Sequence, residues 1–170
     1  MKKNIGLFLF LSVVWIGFST GRVVHAEDWK GVPEESVLSL GGLAGLGIID
    51  ELSGFTMLGT LSKKIVNHGF APDITNSVSV EVEFGPVLLA VGTALAYSFH
   101  LRWDFEKDKD WTLYALGGVG GNVLNVTSRN RGEVYPRFGI GAFYKMSGPL
   151  NARVELSHEL IGVGINVPFY

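Results

Sequence analysis

The chain of 170 residues has no cysteine. That excludes a disulfide scaffold and any thiolate metal site. Charge is also scarce, at 18% of residues, and it is nearly balanced, with 14 Lys+Arg against 16 Asp+Glu. A nucleic-acid-binding surface would need a basic excess, so that class of partner has no electrostatic footprint. Proline is limited to 6 positions and histidine to 4, and no pair of histidines has metal-ligand spacing. No metal or cofactor is expected. What is abundant is apolar and small: 47% of the residues are hydrophobic, 12% are aromatic and 23 are glycine. A disordered chain has the opposite composition, and the length suits one domain.

The first apolar run, Ile5 to Phe18, follows Lys2 and Lys3 and spans 14 residues. A membrane-crossing helix needs roughly 20. Val24 and Ala26 place small residues at the −3 and −1 sites of a signal-peptidase cut, so residues 1–26 read as an export signal. The expected mature chain starts at Glu27, has a short lead-in over 27–36, and keeps 11 basic and 16 acidic residues.

Long hydrophobic runs are missing from the rest. The longest uncharged stretches are Phe84–Phe99 and Thr112–Ser128. The second holds four glycines and two asparagines, at a cost in a helix of about 1 kcal/mol per glycine relative to alanine. A short buried helix over the first stays open at this point.

A period of two fits better. Val78, Val80, Val82 and Phe84 alternate with Ser77, Ser79, Glu81 and Glu83; Tyr97, Phe99, Leu101, Trp103 and Phe105 alternate with Ser98, His100, Arg102 and Asp104. Leu150, Ala152, Val154 and Leu156 alternate with Asn151, Arg153, Glu155 and Ser157. The same rhythm runs through Ile161–Phe169, and Phe138, Ile140, Ala142 and Tyr144 stand opposite Arg137, Gly139, Gly141, Phe143 and Lys145. The pattern predicts about eight strands, near 37–49, 54–66, 77–88, 93–105, 110–125, 134–146, 149–158 and 160–170. Glu106–Asp110, Ser128–Glu133 and Ser147–Pro149 read as turns. Between the third and fourth strands two turns compete, Gly85-Pro86 and Gly92-Thr93.

Alternation by itself fits a soluble sandwich or a membrane barrel. Two features favour a closed antiparallel up-and-down transmembrane β-barrel over residues 37–170. The polar face mixes acids, bases and glycine, as the narrow lumen of a small barrel requires. Aromatic residues gather at strand ends, with Trp103, Phe105 and Trp111 around one charged turn and Phe169 and Tyr170 at the last strand. Only closure satisfies every backbone polar group in lipid.

The segment Phe138–Lys145 followed by Ser147–Ser157 resembles the end of small eight-stranded bacterial outer-membrane β-barrels of the outer membrane protein A and X type. There a glycine-rich strand ending in Tyr-Lys or Tyr-Arg meets a short turn and a strand bearing Arg and Glu. The resemblance implies an outer-membrane location, contact with outer-membrane lipids and lipopolysaccharide, and a C-terminal strand read by the barrel-assembly machinery. In this chain either Phe169 or Tyr170 serves as the terminal aromatic. Arg129 and Arg131 belong to the expected outward loop, for which a solvated loop is the default reading and contact with lipopolysaccharide phosphates the alternative.

Glu81, Glu83, His100, Arg102, Asp104, Arg137, Lys145, Arg153 and Glu155 form the expected lumen charge network. The reading that follows is a non-enzymatic barrel with a structural, membrane-integrity or surface-interaction role. A narrow pore for ions or small solutes is the alternative, and a lipid-modifying enzyme a second one. Ser157, His158 and Glu155 are its only candidate catalytic residues. Adjacent strand residues point to opposite faces, so Ser157 and His158 cannot pair in regular β geometry, and only the loop between the last two strands leaves that pairing open. The His-x-Ser-Asn pattern of outer-membrane lipid A deacylases is also missing.

Overall fold

A computed structural model describes residues 38–49, 52–126 and 129–169. The expected leader, the lead-in and Tyr170 lie outside the described residues, and so do the side chains of Arg129 and Arg131.

Eight strands make one closed sheet: β1 (Leu38–Ile49), β2 (Leu52–Val66), β3 (Asn76–Leu89), β4 (Gly92–Glu106), β5 (Trp111–Val126), β6 (Arg129–Lys145), β7 (Asn151–Ser157) and β8 (Leu160–Phe169). Each pairs antiparallel with the next, and β8 closes back on β1 from Leu38↔Phe169 to Gly47↔Leu160. The fold is an all-β, up-and-down barrel, with no sheet edge left by the topology. The Phe84–Phe99 stretch is β3, a two-residue turn and β4, not a helix.

Alternation sorts side chains between two environments. Leu46, Phe84, Phe138 and Val163 point outward and are exposed, while Thr56, Glu81, His100 and Arg153 point into the lumen and are buried. The lumen is layered. Serines and asparagines line the rim that carries Leu38 and Phe169, a charged layer follows, and an apolar layer of Ile49, Val87, Leu89 and Ala94 fills the opposite end. Leu43, Leu58 and Leu160 pack into a second apolar cluster.

The strand bounds differ from expectation in three places. The Gly85-Pro86 turn does not form, because both residues lie inside β3 and the connection is Ala90–Val91. Pro86 faces Leu95 of β4, and the β2–β3 register skips Met57 and Leu58, opposite Gly85 and Pro86. A residue without an N–H is tolerated where the ladder is interrupted. The expected turn at Ser128–Glu133 is mostly strand, since β6 starts at Arg129 and pairs back from Val126↔Arg129. Ladder bonds come from the backbone, so polar side chains beyond the apolar band do not end a hairpin. Finally, β7 has 7 residues, and its pairing with β6 stops at Gly139↔Ser157.

That early stop explains Pro136. The Lys145 N–H donates to Asp110 O at 2.8 Å, so odd-numbered β6 residues turn their backbones toward β5 and even-numbered ones toward β7. Pro136 is even-numbered and lies beyond the end of β7, where its missing donor costs no ladder bond.

The two rims are unequal. At the rim with Leu38 and Phe169 the connections are residues 67–75, 107–110 and 146–150; at the other rim each pair of strands is separated by two residues.

Candidate functional site

The register is what assembles the lumen charges. Glu81 faces His100, Glu83 faces Ser98 and Ser79 faces Arg102 across β3 and β4. On the other wall, Arg153 and Glu155 of β7 stand opposite Gly164 and Gly162 of β8. Small residues there leave the cross-section to long side chains. Gly141 is one such position, because a Cβ on it would sit 2.3 Å from both the Tyr114 hydroxyl and Val154 O.

Three guanidiniums organise five carboxylates. The Arg153 Nη2 contacts Glu81 Oε1 at 2.7 Å, Glu155 Oε2 at 2.6 Å and Glu83 Oε1 at 3.3 Å, and its Nε donates to the Tyr114 hydroxyl at 2.9 Å. That hydroxyl donates to Glu155 Oε2 at 3.0 Å. Arg137 reaches Glu83 Oε2 at 2.7 Å and Glu155 Oε1 at 2.6 Å through Nη2, and its Nη1 reaches Ser98 Oγ at 2.9 Å and Glu159 Oε1 at 3.1 Å. Arg102 holds Asp104 with a two-pronged contact, Nε–Oδ1 at 2.7 Å and Nη2–Oδ2 at 3.1 Å, and also bonds Glu81. His100 completes the cluster, with Nε2 at 3.0 Å from Glu81 Oε1 and Nδ1 at 3.3 Å from Ser98 Oγ.

The rings of Tyr114 and Phe143 lie under two of these cations. The Arg102 guanidinium is 4.7 Å from the Phe143 centroid, and that of Arg153 is 5.2 Å from the Tyr114 centroid. Cation–π contact of this kind offsets part of the cost of removing a charge from water.

Eight of the nine residues read as lumen charges are buried in this layer. Lys145 is the exception: it is exposed at the mouth, where it lines a cavity of about 230 Å³ with Asp104, Asp110 and Asn166. It sits at the last position of β6, where the lumen opens to solvent. The alternation already puts Ser98 and Phe143 on the inward set, without a role in the charge network, whereas Tyr114 and the Arg137 partner Glu159 are absent from the expected network. For Tyr114 a signal existed, because period two counted from Trp111, Leu113 and Ala115 turns it inward.

Glu81, Glu83 and His100 each offer a ligand atom within 4.8 Å of the others. They come from two strands, so no sequence spacing reveals the grouping. Both carboxylates already carry guanidinium contacts, and a cation would have to displace Arg153.

The residues considered for catalysis do not form a relay. Ser157 Oγ donates to Leu160 O at 3.4 Å, His158 Nε2 lies 4.0 Å from Glu159 and packs against Tyr135, and Glu155 is held by two arginines. A general base must reach its nucleophile, and among the described contacts His158 does not reach Ser157.

Trp103 and Phe105 stack at 4.7 Å, and Trp111 packs on Tyr144 at 4.9 Å. With Phe169, these rings mark the rim where β1 begins and β8 ends.

This geometry is that of the small eight-stranded outer-membrane β-barrels. The N-terminal β-barrel domain of Pseudomonas aeruginosa OprF superimposes with a TM-score of 0.60 at 14% identity, covering 79% of this chain and 98% of that one. Ail, the attachment invasion locus protein of Yersinia pestis, gives 0.54 at 13% identity, covering 78% and 97%. No family model matches the chain, and no curated protein matches it in sequence.

Proposed function

We propose that the protein is a structural component of the bacterial outer membrane, a plugged barrel that supports membrane integrity and performs no chemistry. The observation that carries this reading is the filling of the lumen. Arg153, His100, Glu81, Glu83 and Val87 are the largest fully buried side chains, and all five lie inside the barrel. The interior of an eight-stranded barrel has room for side chains and little else, and here ion pairs and an apolar layer take that room. A pore would have to break several guanidinium–carboxylate contacts and open the apolar layer as well.

Residues 1–26 are the proposed export signal, leaving a lead-in over 27–36 before the barrel. The strand ends Leu38 and Phe169 share one rim, as an even strand number requires, and that rim is the proposed periplasmic side. The opposite rim has only two-residue connections, which gives a surface-interaction role little to use. Lipids and lipopolysaccharide surround the outward apolar rows, and the last strand, with Phe169 and Tyr170, is offered to the assembly machinery.

The test is conductance in planar lipid bilayers. The expected result is a silent barrel under conditions where a general porin conducts. Reproducible unitary currents from the purified protein would overturn the plug and install the pore.

A further inference from the structure

The longest described connection, residues 67–75 between β2 and β3, has no part in the charge network, yet it is firmly built. Asn76 is 3% exposed and all its side-chain hydrogen-bonding groups are used. Its Nδ2 donates to Ala71 O at 2.7 Å and Ile74 O at 2.8 Å, while its Oδ1 accepts from the Trp103 indole at 2.9 Å. The Gly69 N–H donates to the Asn76 carbonyl at 2.8 Å. A Cβ on Gly69 would fall 1.8 Å from Asn76 Oδ1, so the close approach requires glycine.

The loop fixed in this way presents Phe70, 79% exposed, with its ring edge-on to Trp103 at 5.9 Å. Ile74 of the same loop is also exposed, and Ile65 and Lys63 are exposed on the stretch of β2 leading to the loop. A rigid loop gains nothing in water by holding up a bare phenylalanine. Between headgroups and acyl chains the same group is favourable, with lysine able to bury its stem and reach phosphate.

We infer that residues 67–75 form a foot that binds a phospholipid surface, with Phe70 and Ile74 inserted at the headgroup–acyl boundary beside the rim that carries Leu38 and Phe169. Lipid, not a protein, is the occupant because Phe70 continues the outward aromatic row: it touches Trp103, which stacks on Phe105 at the same rim. This inference rests on the reading of the barrel as membrane-spanning.

The absence of cysteine makes single-site labelling direct. Phe70→Cys and Ile74→Cys would carry nitroxide labels in barrels reconstituted into phosphatidylcholine–phosphatidylglycerol vesicles. Phe99→Cys, on the outward face, serves as the bilayer reference, and Lys109→Cys, in the connection 107–110, as the aqueous one. The expected ratio of oxygen to nickel-chelate collisions at positions 70 and 74 is several-fold above that at 109 and below that at 99. Labels at 70 and 74 that match 109 while 99 stays in lipid would overturn the foot and leave the loop to a soluble partner. A label at 99 accessible to the nickel chelate would instead overturn the membrane reading, and the foot with it.

Discussion

Two adjacent layers of the lumen are filled by opposite means. The middle layer buries Arg102, Arg137 and Arg153 against Glu81, Glu83, Asp104, Glu155 and Glu159, while the layer beyond it buries Ile49, Val87, Leu89 and Ala94. The first is directional and interdependent, since each guanidinium serves two or three carboxylates and each carboxylate depends on a specific register. The second is non-directional and graded, proportional to the area it removes from water. One barrel therefore contains a part that specifies which strands pair and a part that only excludes water.

The largest effect should come from breaking the charged layer. Arg153→Met leaves Glu81, Glu83 and Glu155 without their shared cation, and one-sided removal from a buried ion pair costs about 3–5 kcal/mol. Urea unfolding in detergent micelles, followed by the mobility difference between folded and unfolded protein, would measure it. A loss under about 1 kcal/mol would mean that the acids re-pair or hydrate without strain. In the apolar layer, Ile49→Val should cost about 0.5–1.5 kcal/mol, the usual range for one buried methylene. A cost equal to that of Arg153→Met would erase the contrast between the layers.

The smallest effect concerns neither layer. Asp108, in the exposed connection 107–110, accepts from the backbone N–H of Asp110 at 2.9 Å and of Trp111 at 2.8 Å, which holds its carboxyl below the usual carboxylate range. A carboxyl with a depressed folded-state pKa contributes stability that is present above its unfolded value and lost as pH falls through the folded one. Asp108→Asn should therefore slightly lower the urea midpoint at pH 7 and leave it unchanged once the wild-type carboxyl is protonated. An equal drop at both pH values would assign the effect to the turn geometry alone.

Much of the barrel was legible because strand alternation is local. Val78 to Phe84 and Tyr97 to Phe105 declare their faces by period two, and the acids and bases of these two strands that later meet, Glu81, Glu83, Arg102 and Asp104, sit on the inward set. Pro86 and Pro136 misled in opposite ways. The first suggested a turn where the structure interrupts a ladder on one side, and the second attracted no attention although it marks where β7 stops covering β6. Polar residues at 128–133 read as a turn because sequence cannot separate a strand that outlasts the apolar band from a loop. Lys145 shares the parity of the lumen residues but lies at a strand end, and parity carries no information about depth.

Sequence by itself determined the eight alternating strands, the outward apolar rows and the identity of the charges that face inward, since each follows from neighbours two residues apart. Tertiary structure alone decided which charges meet, that Tyr114 and Phe143 lie beneath the arginines, that an apolar layer closes one end, and that Asn76 and Trp103 fix Phe70 at the rim. Those depend on the register between strands up to 72 residues apart in the chain, as in the Arg153–Glu81 contact. Register is a property of the closed sheet as a whole, and no single strand carries it.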